Sequence, residues 1–119
     1  MTDKTAPGPA FAHVLADFSG VSATQLQDAS LLSGLLIAAA SGSGLAAVGA
    51  PTVRHLPNGG LGGVLLLEGC HIAVHTVPSR GLLLVDVLAP QPVVARKAVE
   101  VFARRFASAT KRIEQRERG

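Results

Sequence analysis

Between Leu45 and Ala89 the chain is a succession of apolar segments, each cut off by glycine or proline before it reaches helical length. "GVLLLEG", "HIAVHTV" and "LLLVDVLA" are short and rich in Leu and Val, and the pieces between and before them, "PSRG" and "PNGGLGG", have the composition of turns. The segments therefore read as strands, with "LAAVGAPTVRHL" ahead of them as another. Strands joined this closely pair antiparallel, because a parallel pair needs a crossover of a dozen residues or more.

Two helical patterns flank this region. "SATQLQDASLLSGLLIAAA" sets Leu32, Leu35, Leu36 and Ala39 at helical spacing, with Ser22 or Thr24 as candidate caps and Gly42 or Gly44 as the stop. After "APQP" interrupts the strand pattern, Val94, Ala98, Val101, Phe102 and Phe106 share one helical face, with Arg96, Glu100 and Arg104 opposite. "FAHVLADF", ending at Ser19-Gly20, reads as an opening strand, and "TKRIEQRE", with its alternating charges, as a final edge strand. The expected fold is α+β: a two-layer sandwich of one antiparallel sheet with both helices on one face. Residues 1–10, polar and Pro-bearing, read as a flexible lead-in, and residues 11–119 as a single domain. The face of the sheet without helices, rich in Leu and Val, needs cover, so a homodimer is expected.

Composition narrows the function. With 48% hydrophobic and only 16% charged residues among 119, the chain is globular. Its net charge of +3 comes mostly from late Arg and Lys residues interleaved with Glu100, Glu114 and Glu117, which describes a solvated face. A nucleic-acid surface would want fewer acids and more aromatic rings for stacking, so no nucleic-acid partner is expected. Ser and Gly cut the longest apolar stretch, "LLSGLLIAAASGSGLAAVGA", so no membrane span is expected. A lone cysteine and the lack of a charged-then-apolar leader point to a reducing cytoplasm.

The cysteine stands in "LEGCHIAVHTVP", with Cys70 followed by His71 and His75. On spacing alone an inert buried thiol is the favoured reading and a nucleophile the alternative. His71 and His75 share a strand face, but at about 3.3 Å per residue they stand too far apart to chelate one ion, so no metal is expected. "NGGLGG" lacks the lysine and the following helix of a phosphate loop. His13 on the first strand reads as a hydrogen-bonded sheet histidine.

From Phe11 onward the chain resembles the small bacterial S-adenosylmethionine decarboxylases, which make a pyruvoyl cofactor by cutting their own chain. "HVLADFSGV" resembles the family's opening strand, His-x-x-Ala-Asp-Leu-x-Gly, and "LQDASLLSGLLIAAA" its first helix. "HIAVHT" followed by Pro78 resembles "HISIHTWPE", and "VDV" at 85 to 87 falls where the family has "VDVFTCG". The resemblance implies a pyruvoyl-dependent decarboxylation of S-adenosylmethionine or a related amino acid in polyamine biosynthesis, after self-cleavage between Gly69 and Cys70. Cys70 takes the place of the pyruvoyl-forming serine, and His75 that of the processing histidine. His55, Glu68, His71 and Ser79 are the implied substrate contacts, and a small molecule the implied ligand.

Several positions depart from the family pattern. Gly62 falls where the family has a Ser or Thr that assists processing, and its neighbour Leu61 has no hydroxyl either. Pro90 falls where a cysteine returns a proton to the product. Ser79 replaces an acid that grips substrate, and His55 replaces an adenine-stacking Phe. The alternative is therefore an uncleaved homologue acting as a ligand-binding or regulatory dimer partner. If Cys70 is the pyruvoyl precursor, it and His75 must meet although strand parity puts them on opposite faces, so a bend at Gly69-Cys70 is expected. A backbone N–H of the "GGLGG" loop is then the expected oxyanion donor.

Overall fold

The computed structural model describes residues 8–119, so most of the expected lead-in lies outside the described residues. Strand β1 (Phe11–Ser19) buries Ala12, Val14, Ala16 and Phe18 and leaves the alternate residues on the other face, the period of a strand with one face in a core. Where one helix was expected there are two. Ser22 accepts the Gln25 N–H and caps a single turn, α1 (Ala23–Leu26). The chain restarts as α2 (Ala29–Ser43), whose N-cap Asp28 accepts the Leu31 N–H at 3.0 Å. A short carboxylate serves better as a cap than inside a helix, which is why the break falls at Asp28. Gly44, at φ 77°, ends α2 in the left-handed conformation that favours glycine.

The remaining elements are β2 (Thr52–His55), β3 (Leu61–Leu67), β4 (Cys70–Val77), β5 (Leu82–Ala89), α3 (Pro92–Arg105) and β6 (Thr110–Arg118). A 3-10 turn over Pro78–Arg80 joins β4 to β5. All six strands form one antiparallel sheet in the order β2-β3-β4-β5-β1-β6. The strand expected to begin at Leu45 contracts to Thr52–His55. Gly49, at φ 82°, and Pro51 interrupt it, and the stretch before them follows the β3–β4 hairpin through the Val48 N–H to Leu66 C=O bond of 2.8 Å. β6 is an exposed edge strand, its charges discouraging further pairing.

Both long helices lie on one face, α2 against β3 and α3 against β1 and β5, and they touch each other. Leu32 and Leu36 of α2 and Phe102 of α3 meet Phe18, Leu65, Ile72, Leu83 and Val87 of the sheet, all buried. Each such side chain contributes about 1.5–3 kcal/mol relative to exposure. Thr76 is the buried polar residue of this core. Its hydroxyl accepts the Leu61 N–H at 2.8 Å and donates to the Leu26 C=O at 2.8 Å, tying β3, β4 and α1 together. The other face of the sheet carries no helix. Strand parity gives it Leu15, Leu84, Leu88, Ala73, Val64 and Leu66 with three of the four histidines. No helix among the described residues is long and apolar enough to cross a membrane.

Candidate functional site

Leu67 pairs with Cys70, so Glu68 and Gly69 form a two-residue hairpin turn, with Gly69 at φ 75° as such turns require. The glycine reverses the chain into β4 and does not bend it towards His75. Cys70 keeps the parity of Ile72 and Val74, is 6% exposed and belongs to the core on the helix side. Burial pushes its thiol above the ordinary value. His75 points to the open face, about 16 Å along the strand by the usual rise per residue. The expected meeting of Cys70 and His75 within one chain is thus not found: regular pairing with β3 and β5 from Cys70 onward leaves no room for a bend. The expected oxyanion donor fails for a similar reason. The glycine loop lies at the far end of β3 from the cut, its Gly60 N–H is taken by Asn58 and its Leu61 N–H by Thr76.

The implied site residues accordingly fall into two groups at opposite ends of β4. At one end are Glu68, Gly69, Cys70, His71 and, by extension of the His71–Leu88 pairing, Pro90. At the other are Gly62, His75 and Ser79, the last exposed in the 3-10 turn. His55 ends β2 at this second end, but it pairs with buried Leu61 and so faces the helix side, while Arg54 faces the open side. Arg54, Gly62, His75, Leu84, Asp17 and Arg112 form one row of direct partners across all six strands. A Cβ placed on Gly62 would lie 3.4 Å from His75 Nε2.

The open face also assembles a cluster that strand-by-strand reading missed. Asp86 Oδ1 contacts His13 Nε2 and lies 4.0 Å from His71 Nε2, and the two imidazoles stand edge to face with centroids 6.5 Å apart. Arg118 Nη1 is 3.4 Å from His13 Nδ1. A guanidinium only donates, so Nδ1 accepts and Nε2 carries the proton given to Asp86. The signal was the polar residue in "VDV" and its parity with His71 and His13, but their union needs the order β4-β5-β1. Among the described residues, no group of three His, Cys, Asp or Glu side chains is placed to hold a metal ion.

As the source of a pyruvoyl group, Cys70 fits in its chemistry. Attack of a cysteine sulfur on the preceding carbonyl would close a small ring within adjacent residues. One chain does not bring His75 to that bond.

A family model described as S-adenosylmethionine decarboxylase matches residues 12–119. The S-adenosylmethionine decarboxylase proenzyme of Aquifex aeolicus (strain VF5) is 37% identical over 75 residues, 63% of this chain and 55% of that protein. The proenzyme of Persephonella marina is 35% identical over 75 residues, 63% of this chain and 56% of the relative. The matched stretch thus spans little more than half the length of these curated relatives. A crystal structure of the adenosylmethionine decarboxylase from Aquifex aeolicus superposes with a TM-score of 0.85 at 28% identity, covering 95% of this chain and 93% of that one.

Proposed function

The chain belongs to the S-adenosylmethionine decarboxylase family, and on that premise we propose that it is a pyruvoyl-dependent decarboxylase, self-cleaved between Gly69 and Cys70 and working as a face-to-face homodimer in a reducing cytoplasm. The observation that carries this reading is the division of the implied site between the two ends of β4, with the cut at one end and His75 at the other. A second copy laid on the uncovered face in the opposite direction brings the His75 end of one chain to the open side of its partner's Glu68–Gly69 turn, and the Cys70 side chain must swing from the helix side towards that face to meet it. The apolar surface of Leu66, 58% exposed, and Val64, 38% exposed, supports such a contact.

Cleavage then proceeds by residues of the chain itself. Cys70 Sγ attacks the Gly69 carbonyl carbon, its proton passing to a base such as the partner copy's histidine. The Gly69–Cys70 C–N bond breaks, leaving a thioester and a free amine. Loss of the Cα proton with rupture of the Cβ–S bond releases Gly69 as a thioacid. The dehydroalanine left at 70 takes up water and loses ammonia to give the pyruvoyl group. That group supplies an electron sink for loss of carbon dioxide from an amino acid. The family resemblance makes S-adenosylmethionine or a related amino acid the substrate class, and Ser79, unlike an acid, cannot grip a ribose diol as a carboxylate does.

A second reading is favoured by the buried Cys70 thiol, kept protonated by its surroundings, and by the absence of a side-chain hydroxyl at Gly62 and of an ionisable group at Pro90. In it the chain stays whole and serves as a ligand-binding or regulatory partner. Intact-mass measurement of purified protein separates the two. Fragments ending in a Gly69 thioacid and beginning with pyruvoyl are expected, and a single chain of 12.1 kDa after prolonged incubation would decide for the second.

A further inference from the structure

His75 stands between two cavities of opposite electrical character on the open face. One, of about 300 Å³, has Asp17 and Asp86 in its wall. The other, of about 310 Å³, is lined by Thr52, Arg54, Leu56, Gly62, Ala73 and Val64 together with His75 and Gly63, and contains no acid. Strand register explains the second. Arg54, Gly62 and His75 are direct partners across β2, β3 and β4, so Arg54 and His75 stand two strand spacings apart, about 10 Å. Between them is a residue with no side chain. A Cβ at 62 would touch His75 Nε2 at 3.4 Å and Leu56 Cδ1 at 3.6 Å, and glycine leaves that volume as a notch. Among the described residues Arg54 makes no ion pair.

We propose that this notch binds the carboxylate of a small organic acid, and that the substrate of the site is an amino acid bearing a second carboxylate that the reaction leaves in place. The substrate assignment rests on the decarboxylase reading, whereas the binding site does not. The polar side chains offered can all donate, through the fork of Arg54, the hydroxyl of Thr52 and a ring N–H of His75, and none is a carboxylate. Such a set selects an anion, and the planar guanidinium suits the two oxygens of a carboxylate. A cavity of this size sits at the small end of ligand sites, the range of an amino acid. A second copy on the open face would roof the notch and exclude water, which strengthens the charge pairing. An uncharged Ser79, where the family resemblance implies an acid, and a cation at Arg54 without an ion-pair partner among the described residues both favour a carboxylate over a ribose diol.

The test is calorimetric titration of the full chain with L-glutamate, L-glutamine and inorganic phosphate. L-Glutamate is expected to bind at least about tenfold more tightly than either of the others. Arg54→Gln should erase the preference for glutamate over glutamine, Gly62→Val should abolish binding by filling the notch, and Arg112→Gln, at the far end of the row, should change nothing. Equal affinity for glutamate and glutamine, equal affinity for phosphate, or unchanged binding in Arg54→Gln would each overturn the proposal. The mass of the same sample keeps the two questions apart. Selective binding to an uncut chain sinks the decarboxylase reading and leaves the site standing, and cleavage without selective binding does the reverse.

Discussion

Gly62 and His75 face each other across β3 and β4, and a Cβ on Gly62 would lie 3.4 Å from the His75 Nε2 atom. That is ordinary van der Waals distance, so a small side chain fits without moving the ring. A serine there places a hydroxyl within hydrogen-bond reach of the imidazole and restores the residue type that the family resemblance implies at this position. Gly62→Ser is expected to speed self-cleavage several-fold, read as the rate at which the intact mass disappears. Its effect on folding should be small, since serine is tolerated at a half-exposed strand position. An unchanged or slower rate would show that His75 does not need a hydroxyl partner.

Thr76 gives a stability prediction free of any catalytic assumption. Thr76→Val keeps the shape and removes both hydrogen bonds, leaving the buried Leu61 N–H without its acceptor. An unsatisfied buried group of this kind costs about 1–3 kcal/mol. The urea midpoint should fall accordingly with an unchanged slope, and an unaltered midpoint would mean that water or a shifted loop replaces the hydroxyl.

The layers of the fold were legible because each depends on short-range pattern. Strand-like content ending at Ser19-Gly20 marked β1, helical spacing marked α3, and the charged alternation of "TKRIEQRE" marked an edge. The break at Asp28 was not, because an Asp inside a helical pattern looks like one exposed position until its side chain is seen to take the Leu31 N–H. Gly69 draws notice in the sequence for its backbone freedom, but a positive φ serves a two-residue reversal as readily as a bend, and the Leu67–Cys70 pairing decides between them. The candidate site was legible residue by residue and not as an assembly. Asp86 and His13 lie 73 residues apart and meet only through the strand order. Arg54 escaped notice because its meaning depends on the glycine opposite.

Cys70 makes stability depend on alkaline pH. Burial raises its thiol above the ordinary value of 9.0, so on the alkaline side the unfolded chain loses this proton while the native chain keeps it. The native state then binds more protons, and stability falls as pH rises. The contribution is complete below the ordinary value of 9.0 and is lost as pH rises from there through the raised native value. Urea midpoints at about pH 7.5 and about pH 9.5 should differ more for wild type than for Cys70→Ala, measured on the uncut chain. The same decline in both would place the titrating group elsewhere.

The separation of Cys70 and His75 on opposite faces of β4 gives the sharpest test of the two-chain site. Cys70→Ala removes the nucleophile and His75→Ala removes the imidazole, so each variant alone should stay whole. Co-refolded together, they form some mixed dimers in which the His75→Ala chain keeps its cysteine and receives the histidine of the Cys70→Ala chain. Mass spectrometry should then find the His75→Ala chain cut and the other intact. A site built within one chain predicts no cleavage in the mixture, because neither variant holds both groups. Adding Leu66→Arg to both chains is a control that leaves the core untouched, since this side chain is 58% exposed on the open face. A charge there must be desolvated against the partner's apolar face, so sedimentation should show monomers and the rescued cleavage should vanish. Rescue that survives in monomers, or no rescue where wild type cleaves, would rule out the face-to-face site.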